Sequence, residues 1–352
     1  MKIILLLILL VLFFRFLIAN LRLNQSQRKR IESVFCWISY LMIILLAMFR
    51  GPHVGTDTVG YIEDYESVKF MTFEEIARDY EGYVGYYFLS KLFTLMGLPC
   101  FVWFGFIELI LVTSISRLFS RYSKDRLYSI VLFLTTGLFM FSLAGLKQTL
   151  GLALVIHAFA FFVSQKYLLT ICLLILAFFI HPASLISLPI FVFYVLRNKK
   201  ILIPIILTLS AFICFSELMS VSYLVSLLGY DHYEMYLNTD GSYTMSTLIL
   251  FLLLVACTIP FIKRYIQHNP MSRLEFGGAV FTCVFQFLAS FSPSLFRLAF
   301  GFIPFLYLYV PNTFNESYAN KLSSLLKLCA ILGPIIFFIY SNRGFVYTFI
   351  QL

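Results

Sequence analysis

A few charged and polar residues of this chain are of a type and spacing that could do chemistry. Arg50 is followed by Val54-Gly55-Thr56-Asp57-Thr58, which sets a carboxylate a few residues beyond a long apolar run and near a guanidinium. Such a carboxylate serves as a general base or a ligand, and such an arginine can clamp a phosphate through two parallel hydrogen bonds. A capping turn with a local Arg–Asp pair accounts for the same residues equally well. Glu81 opens a helical stretch, where the helix dipole alone favours an acid. Lys147 and Gln148 stand between two apolar runs with almost no loop. A lysine there either snorkels to the interface or faces a polar cavity with the amide beside it. His181 precedes Pro182, which disfavours helical geometry at the histidine and predicts a break in the apolar stretch 167–196. Broken helices at membrane depth line cavities. Arg297 follows a short Ser/Pro segment and begins another apolar run. Glu108 and Arg15 lie within apolar runs, where pairing is the favoured role and a cavity the alternative. There is no HExxH, CxxC or DxD and no Gly-rich nucleotide loop, so neither a metal nor a nucleotide-sugar donor is expected.

The elements that position these residues are membrane helices. The 352 residues are 61% hydrophobic and only 12% charged, against about 25% charged in soluble domains; mean hydropathy is +0.92. The net charge of +9 does not indicate a nucleic-acid partner, because the basic residues form short clusters between apolar runs. The seven cysteines mostly sit inside those runs and read as small apolar fillers. The expected fold is all-α, a single polytopic transmembrane domain over 1–352. About twelve spans are expected, at 2–19, 33–49, 101–119, 127–143, 147–163, 167–180, 183–196, 201–216, 246–262, 276–291, 295–311 and 324–340. The first is read as an uncleaved span with its N-terminus outside, since the stronger basic cluster follows it.

Basic loops then fall on the cytoplasmic side, and loops 50–81 and 217–245 on the outer side. Within 50–81, Glu63, Asp64, Glu66, Glu74, Glu75 and Asp79 read as a solvated face. Loop 217–245 carries Glu217, Asp231, Glu234 and Asp240, no Lys or Arg, and five tyrosines. Those rings suit the membrane interface and would equally stack on sugars. Segment 83–98 must not cross, or every later basic loop would change sides; it is expected to be a re-entrant or interfacial helix, with Lys91, Tyr83, Tyr86 and Tyr87 at the interface. The rival solution is that 167–180 or 183–196 is not a span. On this map Arg50, Lys147 and Arg297 are basic residues on the outer face, against the positive-inside trend, and are candidates for binding an anion.

The chain resembles the O-antigen and exopolysaccharide polymerase family, in its EpsG-like branch. Four segments carry the resemblance in order: Arg50 with Val54-Gly55-Thr56-Asp57-Thr58 and Tyr61; Glu81-Gly82-Tyr83; Gly145-Leu146-Lys147-Gln148 with His181-Pro-Ala-Ser-Leu185; and Phe296-Arg297-Leu298. The family commonly has arginine where Lys147 stands, proline where Gly82 stands, and a tyrosine near Phe300. The resemblance implies an enzyme of the bacterial inner membrane with its active site facing outward. It would transfer a growing glycan from undecaprenyl diphosphate onto a lipid-linked repeat unit, without cofactor or metal. A chain-length regulator and a flippase are the further partners it implies. Arg50, Lys147 and Arg297 would hold the diphosphate; Asp57, His181 or Glu81 would act on the acceptor hydroxyl; Gln148 and Tyr83 would bind substrate.

Two other readings compete. A polyprenyl-phosphate-sugar glycosyltransferase or an O-antigen ligase would use the same residue types. A lipid-linked oligosaccharide flippase predicts an internal repeat and charges spread through the spans; no repeat is visible, and the charges gather at one outer face.

Overall fold

The computed structural model describes residues 1–227, 242–290, 295–317 and 320–350. Every regular element among them is helical, and the chain separates into two compact units. The first comprises Met1–Leu185 and Asn342–Leu352; the second is Ile186–Ser341, inserted between those two stretches.

The first unit holds ten helices among the described residues: α1 Lys2–Asn20, α2 Gln25–Met48, α3 Thr58–Val68, α4 Phe73–Asp79, α5 Val84–Leu95, α6 Cys100–Tyr122, α7 Arg126–Thr135, α8 Leu138–Ala144, α9 Leu146–Val163 and α10 Tyr167–Ile180. Local chemistry fixes several of their starts. Asn24 and Gln27 form a capping box on α2, and Asp125 accepts from the Tyr128 amide at the start of α7. Ion pairs Arg15–Asp125 (2.7 Å) and Arg126–Glu32 (2.9 Å) tie α1, α2 and α7 together at one end. Arg121 on α6 donates to Ser164 just beyond α9 (3.3 Å), at that same end. Short connections make neighbouring long helices antiparallel, so the opposite end collects the C-terminus of α2, the helices α3 to α5, the α8–α9 junction and His181.

The second unit contains α11 Pro189–Leu196, α12 Leu202–Leu227, α13 Ser242–His268, α14 Ser272–Leu288, α15 Phe296–Ala299, α16 Ile303–Asn315 and α17 Lys321–Ser341. Its core carries a polar cluster in which the Glu275 carboxylate accepts from the Tyr265 hydroxyl and the Asn312 amide (2.9 Å).

Not every expected span forms one continuous helix of membrane-crossing length. Among the described residues six helices are long and apolar enough to cross a membrane, namely α1, α2, α6, α9, α13 (from Met245) and α17; α7 and α8 make a seventh if their 53° bend lies within one span. The segments expected at 167–180 and 183–196 are shorter apolar helices, the one expected at 201–216 lies within the 26-residue α12, and the one expected at 295–311 is broken between α15 and α16. The rise of an α-helix leaves α10 too short to cross the hydrocarbon core of a bilayer on its own. The break at His181-Pro182, continued as a 3₁₀ turn over Pro182–Ser187, limits that helix.

The outer loop expected at 50–81 is largely helical, because Thr72 and Glu75 form a capping box on α4 and α3 precedes it. The loop expected at 217–245 is helical at both ends, up to Leu227 and from Ser242; its middle, 228–241, lies outside the described residues. Segment 83–98 forms α5, which is shorter still than α10 and cannot span a bilayer alone. Lys91 does not snorkel. It is buried and donates to the carbonyls of Val68 (3.1 Å) and Lys69 (2.9 Å), which closes the end of α3. Tyr86 and Tyr87 are buried too, and the Trp103 indole N–H donates to the Tyr86 hydroxyl (3.1 Å).

Candidate functional site

The turn that leads from α2 into α3 builds the site. Gly55 lies at φ +94°, and a Cβ there would collide with the Leu143 carbonyl, so only glycine allows the turn to rest on the end of α8. The Thr58 hydroxyl donates to the Val54 carbonyl (2.5 Å), with the Leu143 carbonyl at 3.3 Å. One residue separates α8 from α9, so this contact brings Lys147 towards Asp57. Asp57 is exposed at the start of α3 and does not spend its carboxylate on capping the helix. Its charge and that of Asp64 both act on Lys147.

Lys147 is half-buried, and its ammonium donates to the Tyr87 hydroxyl (2.6 Å). Tyr87 in turn donates to Asp64 Oδ2 (2.5 Å). Four rings surround the ammonium, with centroids at 4.5 Å (Tyr87), 4.8 Å (Tyr83), 5.6 Å (Tyr61) and 5.8 Å (Tyr86). Such faces stabilise a cation removed from bulk water. Tyr80 stacks on Tyr87 at 3.6 Å. Burial, then the hydrogen bond to Asp64, push the Tyr87 phenol well above its ordinary range, so it stays protonated and keeps its donor role.

Tyr83 links this cage to His181, ring to ring at 5.4 Å. His181 follows the last residue of α10 in extended geometry and is only 5% exposed. Gly151 on α9 packs directly against this turn: a Cβ there would strike the Ser184 hydroxyl and lie 3.3 Å from the His181 Cβ. Gln148 is buried on α9 beside Lys147, and Glu81 is exposed in a 3₁₀ turn just before α5.

Arg50 is 2% exposed. It donates to the Ala47 carbonyl (2.9 Å) and lies over the Phe104 ring at 4.1 Å. Its Nε and Nη2 make no hydrogen bond among the described residues. Burial pushes its pKa down to about 10, opposed first by the negative charge of Glu108 on α6. The segment 342–350 covers it. Gly51 N–H donates to Thr348 and Ile350 N–H to Phe49, an isolated bridge joins Arg50 to Phe349, and Tyr347 donates to the Leu46 carbonyl. Asn342 and Phe345 of this strap, with Pro52, His53, Thr56 and Met140, line a cleft of about 390 Å³.

Arg50, Asp57, Glu81, Tyr83, Lys147, Gln148 and His181 therefore all belong to one end of the first unit. Tyr83 joins Lys147 to His181 through its ring, and Asp57 reaches Lys147 through its charge. Arg297 belongs to the second unit, on the four-residue α15, with its guanidinium 6.0 Å from the Phe296 ring. Asp64 is no solvated acid, and neither its bond to Tyr87 nor the Tyr61 and Tyr86 walls follow from the sequence reading. The available signal is the clustering of tyrosines at positions 80, 83, 86 and 87 around the start of α5. Arg15 and Glu108 do not share a partner: Arg15 pairs with Asp125, while Glu108 acts on Arg50. Among the described residues no three His, Cys, Asp or Glu side chains gather to hold a metal.

No curated protein and no solved structure matches the chain. The EpsG family model matches residues 33–350, nearly all of it. The match runs from α2 to the strap over Arg50, and the chain belongs to the EpsG family, of the membrane polysaccharide-polymerase type.

Proposed function

We propose that this protein is a polysaccharide polymerase that moves a growing glycan from undecaprenyl diphosphate onto a lipid-linked repeat unit at the outer face of the inner membrane. The observation that carries the reading is the caged Lys147, a fixed cation at the same end as the exposed carboxylate of Asp57. Asp57 takes the proton of the acceptor hydroxyl as its oxygen attacks the anomeric carbon. The bond from that carbon to the diphosphate breaks, and its electron pair leaves on undecaprenyl diphosphate. Lys147, with Arg50, neutralises the charge that develops there. His181 and Glu81 are the remaining candidates for the base, and Gln148 and Tyr83 contact the substrate.

The test is a reconstitution of the full chain in lipid nanodiscs with an undecaprenyl-diphosphate-linked oligosaccharide. Wild type should release undecaprenyl diphosphate as the glycan lengthens by whole repeat units. Asp57→Asn should slow both by about a hundredfold or more, the usual scale for loss of a general base. Lengthening at the wild-type rate in Asp57→Asn would remove Asp57 from this role, and lipid diphosphate release without lengthening would end the polymerase reading. Sidedness has its own test in a cysteine-free background. A membrane-impermeant maleimide should label Ser67→Cys in whole spheroplasts and leave Ser123→Cys unlabelled until the membrane is opened. The reverse pattern would place the site on the cytoplasmic side.

A further inference from the structure

We propose that Tyr87 and Asp64 are positioning residues that hold the Lys147 ammonium for the reaction, as a directional chain Asp64–Tyr87–Lys147. The proposal rests on the reading of Lys147 as the cation for the leaving diphosphate. The direction of the chain follows from donor chemistry. An ammonium has three N–H donors and no acceptor, so at 2.6 Å Lys147 must donate to the Tyr87 oxygen. Tyr87 has one hydrogen, and it is given to Asp64 Oδ2 at 2.5 Å. The two bonds reinforce one another, since a phenol that donates to a carboxylate becomes a better acceptor for the ammonium. One N–H of Lys147 is spent in this way and two are left for an anion.

The chain also answers how a half-buried lysine is fixed in place. Lysine side chains carry much rotamer freedom. Here a hydrogen bond anchors the head while Tyr61, Tyr83, Tyr86 and Tyr87 surround it. Tyr87 is itself fixed by the stacked Tyr80 ring and by the edge of Tyr86 at 5.2 Å. Asp64 comes from α3 and Tyr87 from α5, so the chain couples the placement of two helices to the position of one positive charge on α9. Asp64 thereby supplies a negative charge behind the ammonium, on the side away from its two unspent donors.

The reconstituted polymerase tests this with Asp64→Asn, Asp64→Glu and Tyr87→Phe. Asparagine can still accept the Tyr87 hydrogen bond, so it keeps the structural contact and removes only the charge. Asp64→Asn should slow glycan transfer about tenfold, and Asp64→Glu should recover to within about threefold of wild type, the scale of one charge-assisted hydrogen bond. Tyr87→Phe should also cost about tenfold, and in that background Asp64→Asn should add less than about twofold, because the chain is already broken. The amount of folded protein and its thermal midpoint serve as controls. Wild-type rates in Asp64→Asn, equal losses in the Asn and Glu variants, or a full second tenfold loss in the double variant would each overturn the proposal. Lys147→Ala is measured in parallel: wild-type turnover there would remove the underlying role of Lys147, whereas loss there with wild-type rates in Asp64→Asn would remove only the chain.

Discussion

Lys147→Ala is expected to abolish polymer formation, with turnover down at least about a hundredfold and the amount of protein in the membrane unchanged. The size follows from the setting of the charge. Donors held in place away from bulk water contribute far more to a developing anion than solvated ones do, and they need no reorganisation as the bond breaks. The ammonium has this setting, anchored on Tyr87 and walled by four rings. Folding should survive the change, because the tyrosines pack on one another and on Trp103 independently of the lysine. Lys147→Arg is the sharper comparison. The charge is kept, but a planar fork has to enter a cage built around a compact ammonium. It should restore only part of the activity, about a tenth of wild type. The measurement is the repeat-unit ladder from a strain lacking the gene, complemented by each variant at matched protein levels. A full ladder from Lys147→Ala would sink the site as assigned.

Arg50→Ala is expected to act on stability first. Truncation removes the hydrogen bond to the Ala47 carbonyl, the packing over Phe104 and the positive charge that acts through space on a buried carboxylate, at a cost of about 1–3 kcal/mol. That carboxylate is Glu108, buried on α6. The variant should be depleted from the membrane, and Arg50→Ala combined with Glu108→Gln should restore much of the protein. Quantitative blotting and thermal unfolding in detergent would measure both. The restored double variant then separates two roles. If it polymerises normally, Arg50 serves the fold alone. If it is folded and inactive, the two donors that Arg50 leaves unspent take part in holding the diphosphate. Depletion of the double variant as severe as that of Arg50→Ala would show that Glu108 is not what Arg50 compensates.

Much of this was legible in the sequence, and for physical reasons. The helical class follows from the hydropathy. The histidine break follows from Pro182, and the nearness of Lys147 to the end of the preceding helix follows from the single residue Gly145 between them. Span number was not legible, because a run of apolar residues does not disclose where a helix bends or stops. The 53° bend after Thr135 and the gap between α15 and α16 occur inside such runs. The role of Asp64 was hidden for a different reason. Its partner is 23 residues away, and the contact exists only because α3 folds back on α5. The burial of Arg50 was hidden further still, since its cover comes from the far end of the chain.

That cover has a consequence for how the protein is made. The strap closes on α2 across a separation of 301 residues, and in chain order the whole second unit lies between the two stretches of the first. A ribosome therefore delivers the Arg50 turn early and the segment that seals it late. While the second unit is being made, a guanidinium that ends up 2% exposed has no lid above it. The first unit can be complete only after the helices of the second unit have been made, so closure of this end of the molecule reports on their synthesis.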